Sequence, residues 1–306
     1  MLPRITIITP SLNRTDLIGQ AIESVINQVY SELEHIVMDA GSTDGTISVL
    51  SQYPHLITRI EPDRGLYDAI NNGLRIASGE IVGLLNSDDY YEQGIFAEVA
   101  SIFDSQRKID VVIGGAGIFE STASGEVLVD RYPSLNEKAL LDILVFGAPA
   151  INAWFFRRSV FDRVGNFDLA YPLGADRDFL IRLYLSGLKP SFVDKVFYHY
   201  RKHPGSLTIN QGSDAQERIL LENRRLAQKY ISNVHADRAL QKRSLRWHDL
   251  TSIELMILFA RQRRLWEVTD VIRTAIKHNW AWLFVVIVQS PVRIINYLRK
   301  NHASSR

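Results

Sequence analysis

Through the first hundred residues of this chain, short apolar runs alternate with amphipathic ones, and that alternation leaves few folds open. The spacing predicts a strand over 4–9 and a helix over 16–28, with Leu17, Ala21 and Val25 on one stripe. A strand over 33–38 leads to a helix opening near Asp44, and a strand over 56–60 leads to a helix over 66–77, closed by Ser78 and Gly79. A strand over 80–85 and a helix over 94–104 complete the series. Strand–helix units in succession predict an α/β fold, a mainly parallel central sheet flanked by helices. Beyond a strand at 110–114 the pattern becomes irregular, with a hairpin expected between Ile118 and Arg131, and helices return from Asp214 onward. We expect an α/β domain over 1–212 and a helical C-terminal extension over 213–306.

Open α/β sheets hold their ligands at the carboxyl ends of the strands, so those ends carry the chemistry. The apolar run Ile81-Val82-Gly83-Leu84-Leu85 leads through Asn86-Ser87 into Asp88-Asp89. Adjacent carboxylates repel unless a cation sits between them, and a hard divalent ion such as Mg²⁺ or Mn²⁺ takes oxygen ligands and bridges to phosphates. A polar turn with Asp88 as a helix cap is the competing reading. After the first strand, Thr9-Pro10-Ser11-Leu12-Asn13-Arg14 offers hydroxyls, an amide and a guanidinium, either for a base or phosphate or as an N-cap turn. Asp39 closes the second strand beside Gly41-Ser42-Thr43-Asp44, where its carboxylate can accept the imide N–H of a uracil. Arg64 suits a diphosphate, and Asp68 and Asn71 share a helical face. No Gly-rich loop of the P-loop or dinucleotide type occurs, which weighs against those enzyme classes.

The ordered series Thr9 to Asn13, Asp39 to Thr46, Glu61 to Asn71 and Asn86 to Asp89 resembles the bacterial family 2 glycosyltransferases, over roughly residues 4–205. The resemblance implies a GT-A type nucleotide-sugar-binding fold, a nucleoside-diphosphate sugar donor with UDP favoured, a divalent metal, and inversion at the anomeric carbon. It implies that Pro10, Ser11 and Asn13 line the nucleotide pocket, that Asp39 faces the base, that Asp88 reaches the ribose and that Asp89 binds the metal. Downstream, Leu173-Gly174-Ala175-Asp176-Arg177-Asp178 resembles the segment that supplies the general base, with Asp176 in the base position, Asp178 the second acid and Arg182 the arginine beyond. An inverting transfer needs one carboxylate to take the acceptor hydroxyl's proton. Asp176 at a helix start is otherwise a first-turn acid stabilised by the dipole. Two departures stand out: Ala175 replaces the usual Glu before the base, and Ile70 stands where many relatives carry a basic residue. In the segment Phe197 to Thr208, related enzymes often have a loop over the diphosphate, so Arg201 and His203 are candidate contacts, and Tyr198 and Tyr200 are expected on alternate faces of a strand end.

The net charge of +1 conceals an asymmetry: residues 231–306 hold 13 Lys and Arg against 5 Asp and Glu, or +8, leaving 22 against 29, or −7, in the first 230. The tail also carries the apolar run 280–288, too short to cross a bilayer, which needs about twenty apolar residues. Flanked by Arg261, Arg263, Arg264, Arg273, Lys277, Arg293, Arg299 and Lys300, it suits a helix lying in a membrane interface, or else a helical subdomain that buries the run. No nucleic-acid-binding motif accompanies these cations. The absence of cysteine rules out disulfides, thiolate metal sites and cysteine nucleophiles, and no signal-peptide pattern precedes the first strand, so a cytoplasmic protein is expected, peripheral on the inner membrane face. The sequence therefore predicts a metal-dependent hexosyltransferase acting on a saccharide or lipid-linked saccharide, as in surface polysaccharide, lipopolysaccharide or capsule synthesis. A sugar-phosphate nucleotidylyltransferase and a non-catalytic nucleotide-sugar-binding scaffold are the alternatives.

Overall fold

The computed structural model describes residues 2–122, 125–132, 135–202 and 213–287. The chain forms two compact units that divide between residues 210 and 211.

In the first unit the chain runs β1 (Ile5–Ser11), α1 (Ile18–Ile26), β2 (Leu33–Asp39), α2 (Thr46–Leu50), β3 (Ile57–Ile60), α3 (Leu66–Ile76) and β4 (Ile81–Leu84). It continues through β5 (Tyr90–Tyr91), α4 (Ile95–Ser105), β6 (Val111–Thr122), β7 (Gly125–Tyr132), α5 (Glu137–Phe146), β8 (Trp154–Arg157), α6 (Ser159–Val164), α7 (Ala175–Leu185) and β9 (Pro190–Lys202). These strands form one sheet in the order β3-β2-β1-β4-β8-β6-β9-β5, with β7 hydrogen-bonded to β6. The first four strands of that order pair in parallel. β8 then enters antiparallel to both β4 and β6, while β9 runs parallel to β6. β1 and β4 are buried along their whole length, so β4 reads as an apolar run and β1 as a largely apolar one whose buried hydroxyls Thr6 and Thr9 bond Glu34 and His35. On α1 the buried stripe is Ile18, Ala21, Ile22 and Val25, with Leu17 displaced to the cap position. The expected hairpin runs from Ala116 opposite Tyr132, with a register shift between Ile118 and Phe119.

α3 lies directly on β1 because residue 73 is glycine: a Cβ there would sit 2.6 Å from the Ile8 side chain. That close approach sets the height of Tyr67 and Asn71 over the sheet. At the opposite end of the sheet from the strand carboxyl ends, the buried Glu34 accepts from Thr6 Oγ1 at 2.6 Å, Ser78 Oγ at 2.6 Å and Ser78 N at 2.8 Å. Those hydrogen bonds hold its carboxyl below the usual range against the opposing effect of burial.

The second unit contains α8 (Ser213–Ile231), α9 (Arg238–Arg261) and α10 (Leu265–His278). One cluster joins Leu220, Leu255, Leu258, Phe259 and Val271; another joins Ile253, Ala275 and Trp282. The apolar tail run is thereby split. Trp282 is fully buried and its indole N–H donates to Asp249 O at 3.3 Å, whereas Trp280, Leu283, Phe284 and Ile287 are exposed. No helix among the described residues is long and apolar enough to cross a membrane.

Candidate active site

The loops after β1 and β2 are tied together. Asn13 adopts a left-handed φ of 53°, its N–H donates to Ser42 Oγ at 2.8 Å, and its Oδ1 accepts from Thr43 N at 2.9 Å. Arg14 N donates to Thr46 Oγ1 at 2.8 Å. Asp39 is buried and organises its own turn: Oδ1 accepts from Gly41 N and Ser42 N at 3.0 and 2.7 Å, and Oδ2 accepts from Ser42 Oγ at 2.7 Å. Asp44 Oδ1 accepts from Thr46 N at 3.0 Å and Thr46 Oγ1 at 2.5 Å, bracing the turn ahead of α2, whose cap position is Gly45. Pro10 lies buried in β1 opposite Met38. Beside it, the Ser11 hydroxyl is buried without a hydrogen-bond partner.

Beyond β4 the two acids diverge. Asp89 is buried, and its oxygens take three hydrogen bonds: Arg201 N at 2.7 Å on Oδ1, and Asn86 Nδ2 and Tyr198 Oη, both at 2.9 Å, on Oδ2. Burial first, then the charge of Asp88, pushes its carboxyl up to about 7. Asp88 is the more exposed of the pair and faces the Arg14 guanidinium at 3.7 Å. The donor set fits a hard cation. Among the described residues no three acidic, His or Cys side chains converge on one point, so remaining ligands would be phosphate oxygens and water, the usual Mg²⁺ pattern.

Tyr198 and Tyr200 share one face of β9, with ring centroids 4.7 Å apart, rather than alternate faces: residues two apart on a strand point the same way. Tyr200 Oη donates to Asn152 Oδ1 at 3.0 Å, and Asn152 Nδ2 reaches Leu84 O and Asn86 Oδ1, both at 3.3 Å. These bonds join Tyr200 to the β4 end of the site, and burial, then the charge of Asp89, raises its phenol well above the usual value.

Asp176 sits in the first turn of α7, its Oδ1 accepting from Arg177 N at 2.7 Å, and burial raises its carboxyl above the ordinary value. Arg177 is directed away, donating to Leu144 O, Val145 O and Gly147 O at the end of α5. Asp178 is fully buried and paired with Arg182 at 2.8 Å, which also donates to Val164 O and Asn166 O. Ala175 is sealed in the core, as is Ile70, so neither faces a ligand.

Two expected donor contacts are engaged elsewhere. The Asn71 amide is a backbone clamp, donating to Phe167 O at 2.9 Å and accepting from Phe167 N at 3.0 Å. Arg201 lies under the β4 turn rather than over a diphosphate: its Nε donates to Asp88 O at 3.0 Å, Nη2 reaches Gln20 Oε1, and its guanidinium lies 4.6 Å from the Phe119 ring centre. Arg64 and Asp68 pair with each other at 3.2 Å on the surface. Solvent screens such a pair, so it does not hold Arg64 back from a phosphate. His203 lies outside the described residues.

The family model for Glycosyl transferase family 2 matches residues 6–165, which contain the strand-end acids just described. The chain belongs to glycosyltransferase family 2. Similar proteins include a PGL/p-HBAD biosynthesis glycosyltransferase of Mycobacterium bovis, 32% identical over 189 residues, covering 60% of this chain and 70% of that one. The uncharacterized glycosyltransferase EpsJ of Bacillus subtilis is 25% identical over 222 residues, covering 68% and 64%. Among solved structures, S. aureus TarS 1-349 in complex with UDP-GlcNAc superposes with a TM-score of 0.55 at 18% identity, covering 88% of this chain and 90% of that one. Mannosyltransferase PcManGT from Pyrobaculum calidifontis, in complex with GDP-Man and Mn²⁺, gives 0.57 at 18%, covering 94% and 87%. At that identity the likeness establishes the GT-A fold.

In this glycosyltransferase, sequence reasoning gave no role to Asn86 or Asn152. Asn86 was visible as the residue opening the acidic turn. Asn152 carried no signal, because its partners Leu84, Asn86 and Tyr200 lie far away in the chain.

Proposed function

We propose that this glycosyltransferase is an inverting, metal-dependent enzyme that moves a hexose-type sugar from a nucleoside diphosphate, UDP favoured, to a hydroxyl of a saccharide or lipid-linked saccharide acceptor. Surface polysaccharide, lipopolysaccharide or capsule synthesis is the setting we favour. The reading is carried by one observation: after β4 the buried Asp89 is held by Arg201 N, Asn86 Nδ2 and Tyr198 Oη, which leaves the neighbouring Asp88 as the more exposed carboxylate of a strand-end turn. An acid so placed at the carboxyl end of a central strand suits a metal-bound diphosphate.

Each residue then has a task. The buried, unpartnered Ser11 hydroxyl is set to bond the donor, with Pro10, Asn13 and Asp39 shaping the nucleotide pocket. Asp88 presents the accessible carboxylate. We assign it the metal, and we assign Asp89, expected from the sequence to be the ligand, to holding the turn that aims Asp88. A bound Mn²⁺ or Mg²⁺ would neutralise the leaving diphosphate. Arg64 and Asp68 stand at the rim, and Asp176 takes the acceptor's proton. The named nucleotides of the two solved relatives, UDP-GlcNAc and GDP-Man, leave the base to experiment. A thermal-shift panel of UDP, GDP and dTDP, each with and without Mn²⁺, reads it directly. One nucleotide should raise the melting temperature only with metal, since a ligand bound by the native state alone stabilises it. No shift with any of them would sink the reading.

The C-terminal unit, which we propose as a separate domain, contacts the membrane surface. Leu265, Trp266 and Trp280 are 70%, 76% and 80% exposed, beside Arg273 and Lys277. Exposed tryptophans among cations match an anionic lipid interface. The full chain should sediment with phosphatidylglycerol-containing liposomes, and Trp266→Ser with Trp280→Ser should release it; equal sedimentation of both would refute the contact.

A further inference from the structure

Arg14 stands where the loop after β1 meets the turn after β4. Its main chain is fixed on both sides: Arg14 N donates to Thr46 Oγ1 at 2.8 Å, and Arg14 O accepts from Leu17 N and Ile18 N, both at 3.0 Å, at the start of α1. Its guanidinium bonds carbonyls of its own loop, Nη1 donating to Asn13 O at 3.0 Å and to Leu12 O at 3.4 Å. Across the site, Nε lies 3.7 Å from Asp88 Oδ2, an ion pair beyond hydrogen-bond length between side chains 29% and 18% exposed. The residue is therefore anchored at its backbone and loosely placed at its charge.

Arg201 is engaged differently. Its guanidinium is drawn beneath the turn to Asp88 O and Gln20 Oε1, and Glu126 lies 3.6 Å away. The Arg14 charge instead faces the Asp88 carboxylate itself. A guanidinium and a divalent ion attract the same carboxylate and repel each other. A diphosphate shifts that balance, because its oxygens also accept from a guanidinium fork.

We propose that Arg14 couples metal binding to donor binding: it shields the charge of Asp88 until a diphosphate offers it other oxygens. The inference rests on reading Asp88 as the metal's carboxylate. Arg14 thereby weakens the site for a metal alone and strengthens it for metal and diphosphate together. Linkage makes the effect reciprocal, so the nucleotide raises affinity for the metal by the factor with which the metal raises affinity for the nucleotide.

The test needs no transfer reaction, since the paramagnetic resonance of free Mn²⁺ reports its binding. The full chain is titrated with Mn²⁺ alone and again with UDP or GDP, each corrected by the same nucleotide without protein. Arg14→Gln should bind Mn²⁺ alone about three- to tenfold more tightly than the unaltered chain, the order expected on removing one partly exposed charge. Nucleotide should then improve that affinity by a smaller factor than in the unaltered chain. Arg14→Lys, which keeps the charge, should track the unaltered chain, and melting curves confirm that both variants fold. A merely structural role would weaken the metal rather than tighten it. Affinity for Mn²⁺ alone that is equal or lower in Arg14→Gln overturns this inference and leaves the metal reading standing. Mn²⁺ binding that is undiminished in Asp88→Asn, or absent from the unaltered chain in every titration, overturns the metal reading and this inference with it.

Discussion

Asp176→Asn should lower kcat by about 10²- to 10⁴-fold, the range over which a positioned general base contributes, while leaving nucleotide binding intact. The substitution preserves shape, and the Asn Oδ1 can still accept from Arg177 N, which now bonds the carboxylate at 2.7 Å. What it removes is the ability to accept a proton from the acceptor hydroxyl. Single-turnover transfer and nucleotide thermal shift, run side by side, separate the two. Because burial lifts the Asp176 carboxyl above its ordinary range, wild-type kcat should also fall as pH drops toward that raised value and the base becomes protonated. A scaffold that merely binds nucleotide sugar would show no transfer in either protein, whereas full activity in Asp176→Asn would move the base to another residue.

Asp89→Ala should be the most damaging substitution in the molecule. It strands three donors, Arg201 N, Asn86 Nδ2 and Tyr198 Oη, around a buried carboxylate. Leaving buried donors unsatisfied costs about 1–3 kcal/mol each, less where a side chain can turn away, so a loss of about 3 kcal/mol is expected. Asp88→Asn should behave differently. Its side chain is partly exposed against Arg14, so stability should change little while the Mn²⁺-dependent nucleotide shift disappears. Denaturant midpoints and nucleotide titrations on both variants check the division. A stable Asp89→Ala that has lost only its metal response would reverse the two roles.

The parallel half of the sheet was legible because β1 and β4 are buried along their length, β4 showing as an apolar run and β1 as a β-branched one. The strand-end acids were legible for a related reason: a charged pair directly after such a run has nowhere to go but the sheet's edge. What could not be read is which polar groups the fold itself uses up. Asn71 looked like a ligand contact because it shares a helical face with Asp68, yet its amide donates to Phe167 O and accepts from Phe167 N. Arg201 looked like a phosphate partner for the same reason, and it lies beneath the turn it was expected to face. Such pairings join residues far apart in the chain, and local periodicity carries no information about them.

The cross-ties between the loops after β1 and β2 bear on how donor capture is governed. Asn13 and Ser42 hold each other before any nucleotide arrives, so the ordering of these segments is accomplished at folding rather than at encounter. In the proposed reading, the nucleotide meets loops that are already ordered. Sequence drift in the buried interior of β2, short of Asp39, can then tune retention of the donor by altering the spacing of two strands.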